Sequence, residues 1–329
     1  MPRSRIVGTG TYLPERVVTN DDLVKQFGIE TSDSWIRERT GISKRRIAAP
    51  SEATSDMATA ASKKALKMAG IRPEDLDMII CGTITPDMPF PAAAVLVQAN
   101  LGAKHAACFD VSAACAGSLY ALAIGDSFIK SGAARSVLVI GAELLTRIVD
   151  WKDRASCVLF GDAAGAMVMG PEEREGHGLL STHLHTDGNK ADILCIPGGG
   201  SRKPLSQEVL DKREQFVKMN GREVYKTAVR VLDQCSREAL ERNGVRTQDV
   251  THVIAHQANL RILEGVMKRL EIPLEKCHLN IDEVGNTSSA SVPLTLDQAN
   301  RKGALKDGDL ILMMAIGGGM AWGSALVRW

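Results

Sequence analysis

One stretch of this chain returns later in the same chain at a fixed distance. Ala65-Leu66, Gly70-Ile71-Arg72 and Asp75 recur as Ala239-Leu240, Gly244-Val245-Arg246 and Asp249. The offset is constant, 239 − 65 = 249 − 75 = 174, slightly more than half of the 329 residues. Each copy reads as helix, turn, strand. In the first, Ser55 is the expected N-cap, and Met57, Ala61, Ala65 and Met68 recur at helical spacing. Gly70 closes that helix, and Pro73-Glu74-Asp75 turns the chain into an apolar strand, Leu76 to Cys81. The echo continues downstream. Ser131-Gly132-Ala133 leads to a strand from Val137 to Ile140, and Lys302-Gly303-Ala304 leads to one from Leu310 to Ile316. Self-similarity of this kind signals duplicated structure. Two related halves that alternate strands and helices predict α/β layers with mostly buried sheets. The expected halves are 1–174 and 175–329. The boundary falls in the polar run Pro171 to Gly176, and no long linker separates them.

Charge narrows the function. Charged residues are 24% of the chain and the formal net charge is +1, which points to neither a nucleic-acid partner nor a membrane surface. No window approaches the roughly 18 uninterrupted apolar residues of a membrane span. Met1-Pro2-Arg3-Ser4-Arg5 runs directly into Ile6-Val7-Gly8, with no long apolar leader, so the expected location is cytoplasmic. The seven cysteines are scattered and form no CxxC pair, which argues against a disulfide framework or a zinc site. Most are expected to be small core residues.

Cys115 stands apart. It lies in Asp110-Val111-Ser112-Ala113-Ala114-Cys115-Ala116-Gly117-Ser118, ahead of an apolar helical stretch from Leu119 to Ile129. A thiol at a helix N-terminus faces free N–H groups and the positive end of the dipole, which favour a nucleophilic thiolate. Such a nucleophile needs a histidine and a third polar group. His256 follows the apolar strand His252 to Ala255, and the carboxyl ends of α/β strands collect catalytic groups. His183 and His185 flank Leu184, share one strand face and read as structural, with no third metal ligand at suitable spacing. Asn286 lies in the loop Glu283 to Ser291, and 115 + 174 = 289 places that loop opposite the Cys115 loop in the repeat. Gly-Asn on its own is also a common turn. Gly317-Gly318-Gly319 follows a strand; beside a nucleophile, it reads as backbone for an oxyanion hole. It lacks both the G-x-G-x-x-G pattern and a P-loop lysine, so a nucleotide fold is not expected.

Taken together, these motifs resemble the β-ketoacyl-acyl-carrier-protein synthase III family. The likeness runs through Gly8 to Pro14, Thr31 to Ile36, Arg39 to Ile42, the Cys115 loop, Phe160 to Ala166, Ser181 to His185, His256 to Arg261, Gly285 to Ser288 and Gly317 to Gly319. The resemblance implies a thiolase fold: two similar halves in an α-β-α-β-α five-layer arrangement, as a homodimer. It implies decarboxylating condensation of an acyl-CoA, typically acetyl-CoA, with malonyl-acyl carrier protein, without a metal or redox cofactor. Cys115 would carry the acyl group. Backbone N–H groups of Cys115 and Gly318 would form the oxyanion hole, and His256 and Asn286 would hydrogen-bond the malonyl thioester oxygen. Trp35 and Arg154 would sandwich the CoA adenine, with Arg39 at a CoA phosphate and Asn259 at the pantetheine. Gln257, Ala258, Asn259, Leu260 and Arg261, with Arg222 and Lys226, would meet the carrier protein. Phe90 would reach across the dimer to close the partner's acyl pocket. Ile316 stands where the family often carries phenylalanine, a difference that bears on acyl-chain preference.

Relatives on the same fold are separable in part. Thiolases carry a second active cysteine near the C-terminus, whereas Cys277, the last here, lies outside the glycine loop. Elongating synthases pair the cysteine with two histidines; here the second position is Asn286. Chalcone-synthase-like enzymes and starter enzymes of secondary metabolism share Cys-His-Asn, so the triad alone does not set the acyl substrate. A Cys-His-Asn thioester hydrolase and a non-catalytic binding protein are the remaining alternatives.

Overall fold

The computed structural model describes residues 3–329. Its two principal sheets follow the repeat. The first has strand order Arg3–Tyr12, Ala163–Glu172, Val137–Glu143, Met78–Gly82, Ala107–Val111. The second runs Gly178–Thr186, Ala321–Arg328, Leu310–Gly317, His252–Ala255, the same order without the fifth strand. Pairing agrees strand for strand: Met78–Gly82 is parallel to Val137–Glu143, as His252–Ala255 is to Leu310–Gly317. Ala107–Val111 is parallel to Met78–Gly82, and the pairs toward the Arg3–Tyr12 and Gly178–Thr186 edges are antiparallel.

The layers follow from residue type. Strands buried on both faces must be apolar throughout, and Met78-Ile79-Ile80-Cys81 and Val137-Leu138-Val139-Ile140 are. Ile79, Leu138 and Ile140 face the outer helix Thr54–Ala69 through Met57, Ala61 and Ala65. Ile80 and Val139 face the opposite way, onto Leu119 and Leu122 of the helix Gly117–Lys130. That helix and Ser291–Arg301 lie side by side between the two sheets and touch strands of both. Helices Gly221–Arg242 and Leu260–Leu270 cover the outer face of the second sheet. The result is the five-layer α-β-α-β-α arrangement. Each fully buried Leu or Ile in the central layer contributes roughly 1.5–3 kcal/mol, so this layer fixes how the halves meet.

Local signals fare unevenly. Gly70 does end its helix, in a left-handed conformation (φ 66°). Ser55 does not start it: the helix begins at Thr54 with Ala53 as N-cap, and the Ala53 N–H is taken by Asp56 at 2.9 Å. The Ser55 hydroxyl and amide instead bind Asp87, tying this helix to the loop after Gly82. The turn after each copy is held identically, by Arg72–Asp75 and Arg246–Asp249 ion pairs, both 2.8 Å. Among the described residues, no helix is long and apolar enough to cross a membrane.

Candidate active site

Cys115 occupies a 3-10 turn, Ala114–Ala116, that feeds directly into the helix Gly117–Lys130. Its counterpart in the repeat is the 3-10 turn Ser288–Ala290, feeding into Ser291–Arg301. The two turns touch at the junction of the halves. A cavity of about 320 Å³ opens there, lined by Cys115, His256, Asn286, Ile316 and Gly317 and extending to Trp35, Arg39 and Asn259. A smaller cavity of about 80 Å³ also borders Cys115, walled by Ile84, Leu145, Phe160, Leu194, Ile196 and Val217. Gly318 and Ser288 also line it.

His256 stands at the end of the strand His252–Ala255, its backbone N–H bound to Met314 O at 2.8 Å. The side chain is 3% exposed, and neither ring nitrogen has a protein partner. Burial lowers its pKa to about 3, so the imidazole is neutral and offers one N–H to the cavity. Asn286 is clamped by the first half: its N–H binds Leu159 O at 2.8 Å and its carbonyl accepts from Gly161 N at 3.0 Å. Its Oδ1 accepts the Ser288 N–H at 2.9 Å, which fixes the amide orientation and leaves Nδ2 to donate.

The thiol differs from the expectation. Cys115 is 7% exposed, and burial pushes its pKa up to about 12, with the Glu143 charge acting in the same sense. The Ser288 hydroxyl and its own backbone N–H act in the opposite sense without prevailing. The resting group is a neutral thiol beside a neutral imidazole, because desolvation outweighs the helix terminus.

The remaining expected residues divide. Trp35 carries both arginines, with the Arg39 and Arg154 guanidinium carbons 4.7 and 4.9 Å from the ring centroid. Asn259 lines the cavity mouth, but its side chain already caps the helix Leu260–Leu270 and donates to Arg39 O at 3.0 Å. Arg222, Lys226 and Arg261 are exposed, as a docking face requires. Gln257 is not: it is 0% exposed, and its amide binds Ala255 O, His278 O and Asn280 N. It organises the strand end and cannot meet a partner surface. Leu260 is turned inward against Gly41, and Ala258 is half-buried along the cavity. Ile316 lines the larger cavity and is absent from the wall of the small one. Phe90 is 85% exposed and lines neither cavity of its own chain. His183 and His185 both contact Glu238, at 3.3 and 2.7 Å, and no metal-binding group of three ligands occurs among the described residues.

Glu143 went unnoticed in the sequence. It ends the strand Val137–Glu143, is fully buried, and accepts the Ser288 hydroxyl at 3.0 Å. The rule that singled out His256, a polar residue at the carboxyl end of an apolar strand, applies to it equally.

Two duplicated sheets that meet at a cysteine-bearing helix start define the thiolase-fold acyl-transferring enzymes as the class. Comparison with known proteins narrows this. The family described as 3-oxoacyl-[acyl-carrier-protein (ACP)] synthase III matches residues 109–188, and its C-terminal domain matches residues 240–329. A β-ketoacyl-[acyl-carrier-protein] synthase III from Caldanaerobacter subterraneus subsp. tengcongensis is 53% identical over 324 residues, 98% of this chain and 97% of the relative. The crystal structure of 3-oxoacyl-[acyl-carrier-protein] synthase III from Aquifex aeolicus VF5 superposes with a TM-score of 0.92 at 48% identity, covering 99% of this chain and all (100%) of that one. The priming β-ketosynthase of the R1128 polyketide pathway superposes with a TM-score of 0.91 at 36% identity, over 98% of this chain and 95% of its own. The chain belongs to the β-ketoacyl-acyl-carrier-protein synthase III family of condensing acyltransferases.

Proposed function

We propose that this protein condenses acetyl-CoA with malonyl-acyl carrier protein, releasing CO2 and CoA and forming a β-ketoacyl-acyl carrier protein that starts fatty-acid synthesis. Cys115 attacks the acyl-CoA carbonyl and holds the acyl group as a thioester. The Cys115 and Gly318 N–H groups receive the oxyanion. Malonyl-acyl carrier protein then places its thioester oxygen between His256 and Asn286. Loss of CO2 leaves an enolate, and two fixed donors stabilise charge that appears only at this step, each worth about 3–4 kcal/mol in comparable oxyanion sites. The carbanion attacks the acyl-Cys115 carbonyl. Decarboxylation drives the condensation, so the proposed chemistry calls on no metal or redox cofactor.

The observation that carries this reading is the donor pair. Ser288 holds Asn286 with Nδ2 free, and His256 is neutral with no protein partner, in one cavity with Cys115. The small, largely apolar second cavity supports a short acyl group. The Trp35 face with Arg39 and Arg154 supports the CoA nucleotide, and the larger cavity beside Asn259 supports the pantetheine. Arg222, Lys226 and Arg261 support an acidic carrier protein. Phe90 and Met88, 85% and 43% exposed on one loop, support burial against a second copy as a homodimer, with Phe90 closing the partner's acyl pocket. The halves 1–174 and 175–329 are supported by the sheets, whose strands all end by Glu172 or begin at Gly178.

The likeness to a polyketide priming synthase favours a second reading, the same condensation with another acyl-CoA as primer. Incubation with labelled acetyl-CoA followed by malonyl-acyl carrier protein tests both. Label on Cys115 that passes to the carrier protein is expected. Labelling only by longer or branched acyl-CoAs selects the second reading, and release of free acetate from Cys115 identifies a hydrolase.

A further inference from the structure

His256 and Asn286 must converge on one oxygen, yet they hang from different frames. His256 follows the strand His252–Ala255, with its N–H on Met314 O at 2.8 Å. Asn286 is clamped between Leu159 and Gly161 of the first half. The Asn286 amide is turned by the Ser288 N–H, at 2.9 Å from Oδ1. The imidazole has no such guide, because neither ring nitrogen has a protein partner. Its aim is therefore set by packing and by where the backbone around it is held.

Gln257, the next residue, ties the two frames together. Its backbone N–H donates to Ser291 Oγ at 2.8 Å, and Ser291 opens the helix that follows the Asn286 loop. Its side chain grips the other end of that loop. Nε2 donates to Ala255 O at 3.0 Å and to His278 O at 3.1 Å, and Oε1 accepts the Asn280 N–H at 3.3 Å. Both amide donors are thus used, in a position with no exposure to water. From Asn280 onward the chain is stiff. Asn280 O accepts from Glu283 N at 3.0 Å and Val284 N at 3.1 Å, and Gly285 N donates to Ile281 O at 3.0 Å. Asn280 Nδ2 in turn donates to Thr295 Oγ1 at 3.1 Å and Gln298 Oε1 at 2.9 Å, on the helix that Ser291 opens. The loop that carries Asn286 is held at both ends by the residue beside His256.

We propose that Gln257 sets the spacing between His256 and Asn286, so that both donors meet the same thioester oxygen as the enolate develops. It is a positioning residue. It lines neither cavity, and it acts through the backbone of His256 and the two ends of the Asn286 loop. Two donors stabilise a developing charge together only where both lie within hydrogen-bonding distance of the one atom that carries it. A displacement of about 1 Å in either is enough to lose most of the benefit. Acylation of Cys115 does not call on this pair, because the Cys115 and Gly318 N–H groups serve that oxyanion. Loss of the tie therefore falls on decarboxylation and spares acylation. The proposal rests on the reading of His256 and Asn286 as donors to the malonyl thioester.

The test compares the two half-reactions on the intact protein: release of labelled CO2 from malonyl-acyl carrier protein, and transfer of label from acetyl-CoA to Cys115. Gln257→Leu removes the amide at similar volume. Ser291→Ala removes the acceptor of the Gln257 N–H and leaves the side-chain bonds in place. The kcat for CO2 release is expected to fall about 10²-fold in Gln257→Leu and about tenfold in Ser291→Ala, with KM for malonyl-acyl carrier protein and the acylation rate both within about threefold of the original. In an Asn286→Ala background, Gln257→Leu should cost CO2 release less than about threefold, because a lone donor leaves nothing to align. Release of CO2 at the original rate in either folded variant overturns the proposal. So do equal losses in the two half-reactions, which a merely structural role produces, and so does a full 10²-fold loss repeated without Asn286. Should Gln257→Leu fail to fold, Ser291→Ala decides alone. An unmodified protein that neither takes acetyl label on Cys115 nor releases CO2 overturns the functional reading, and this proposal with it.

Discussion

Ala114 and Ser288, 288 − 114 = 174 residues apart, share a left-handed backbone, with φ of 45° and 50°. Each opens its 3-10 turn, directly ahead of Cys115 in one half and Ser289 in the other. A non-glycine residue in this region costs of order 1–3 kcal/mol, and such strain persists only where the surroundings over-determine it. Here the surroundings are the strand tips of the opposite half. A Cβ added at Gly141 would lie 2.1 Å from Ser289 O, and one at Gly317 would lie 2.4 Å from Cys115 N. Each half therefore holds the other's turn in its strained form, and the nucleophile's position is a property of the junction.

Gly317→Ala follows from this directly. The new methyl also meets Ala114 Cβ at 2.9 Å, and both obstacles are backbone or Cβ atoms that cannot swing away. The Cys115 turn must shift. A shift of this size at a reacting atom costs about 10²-fold or more in rate. Labelling of Cys115 by acetyl-CoA is expected to fall by that factor. A Gly317→Ala variant that labels at the original rate would show that the glycine is not what seats the turn.

Asn286 separates the two half-reactions. Asn286→Asp keeps an acceptor for the Ser288 N–H, so the loop and the fold should persist. It removes the Nδ2 donor and adds a negative charge where the enolate develops. Decarboxylation of malonyl-acyl carrier protein is expected to drop about 10²–10³-fold. Acylation of Cys115 should fall far less. Equal loss of both half-reactions would place Asn286 in the acylation step and contradict its role as a malonyl donor.

The sequence made the duplicated architecture legible because the repeat pairs residues whose local duties are conformational. Gly70 must be left-handed, and Arg72–Asp75 must clamp a turn, so their copies at Gly244 and Arg246–Asp249 report structure. Cys115 and His256 were legible because both sit where a helix begins or a strand ends. Burial was not. Gln257 follows the histidine and looks like part of an exposed loop, yet three hydrogen bonds draw it into the interior. Glu143 closes an apolar strand and looks like its polar end, yet Thr83, Thr85 and Ser288, distant in the chain, enclose it. The thiol's raised pKa comes from the same cause, since dehydration depends on the whole junction and on no local motif.

Trp35 offers a test of nucleotide recognition. Two guanidinium groups already lie over its ring, and an adenine would stack against that face in place of one of them. Aromatic pairs are worth about 0.5–1.5 kcal/mol beyond area burial, so Trp35→Ala should raise KM for acetyl-CoA about tenfold. The contact is remote from the thioester and the same in ground and transition states, so kcat should hold. An acetyl thioester of a short thiol without the nucleotide should be used equally well by both proteins. A selective loss of kcat would place Trp35 in the folding of the cavity wall instead.

His256 links the site to stability. Burial holds its folded pKa at about 3, below its ordinary 6.5. Between these values the unfolded chain binds a proton that the folded chain refuses. Stability from this group is therefore complete above pH 6.5 and falls as the pH drops, at about 1.4 kcal/mol per pH unit, until pH 3 is approached. Other groups titrate in the same range, so the comparison with His256→Asn isolates the effect. Denaturant unfolding at pH 7.5 and pH 5 should show the unmodified protein losing more stability than the variant over that interval. The same neutrality predicts that decarboxylation of malonyl-acyl carrier protein by the folded enzyme does not fade between pH 7.5 and pH 5 through protonation of His256. Identical pH slopes in the two proteins would mean that the imidazole is hydrated, and so would remove the basis for treating it as a neutral donor.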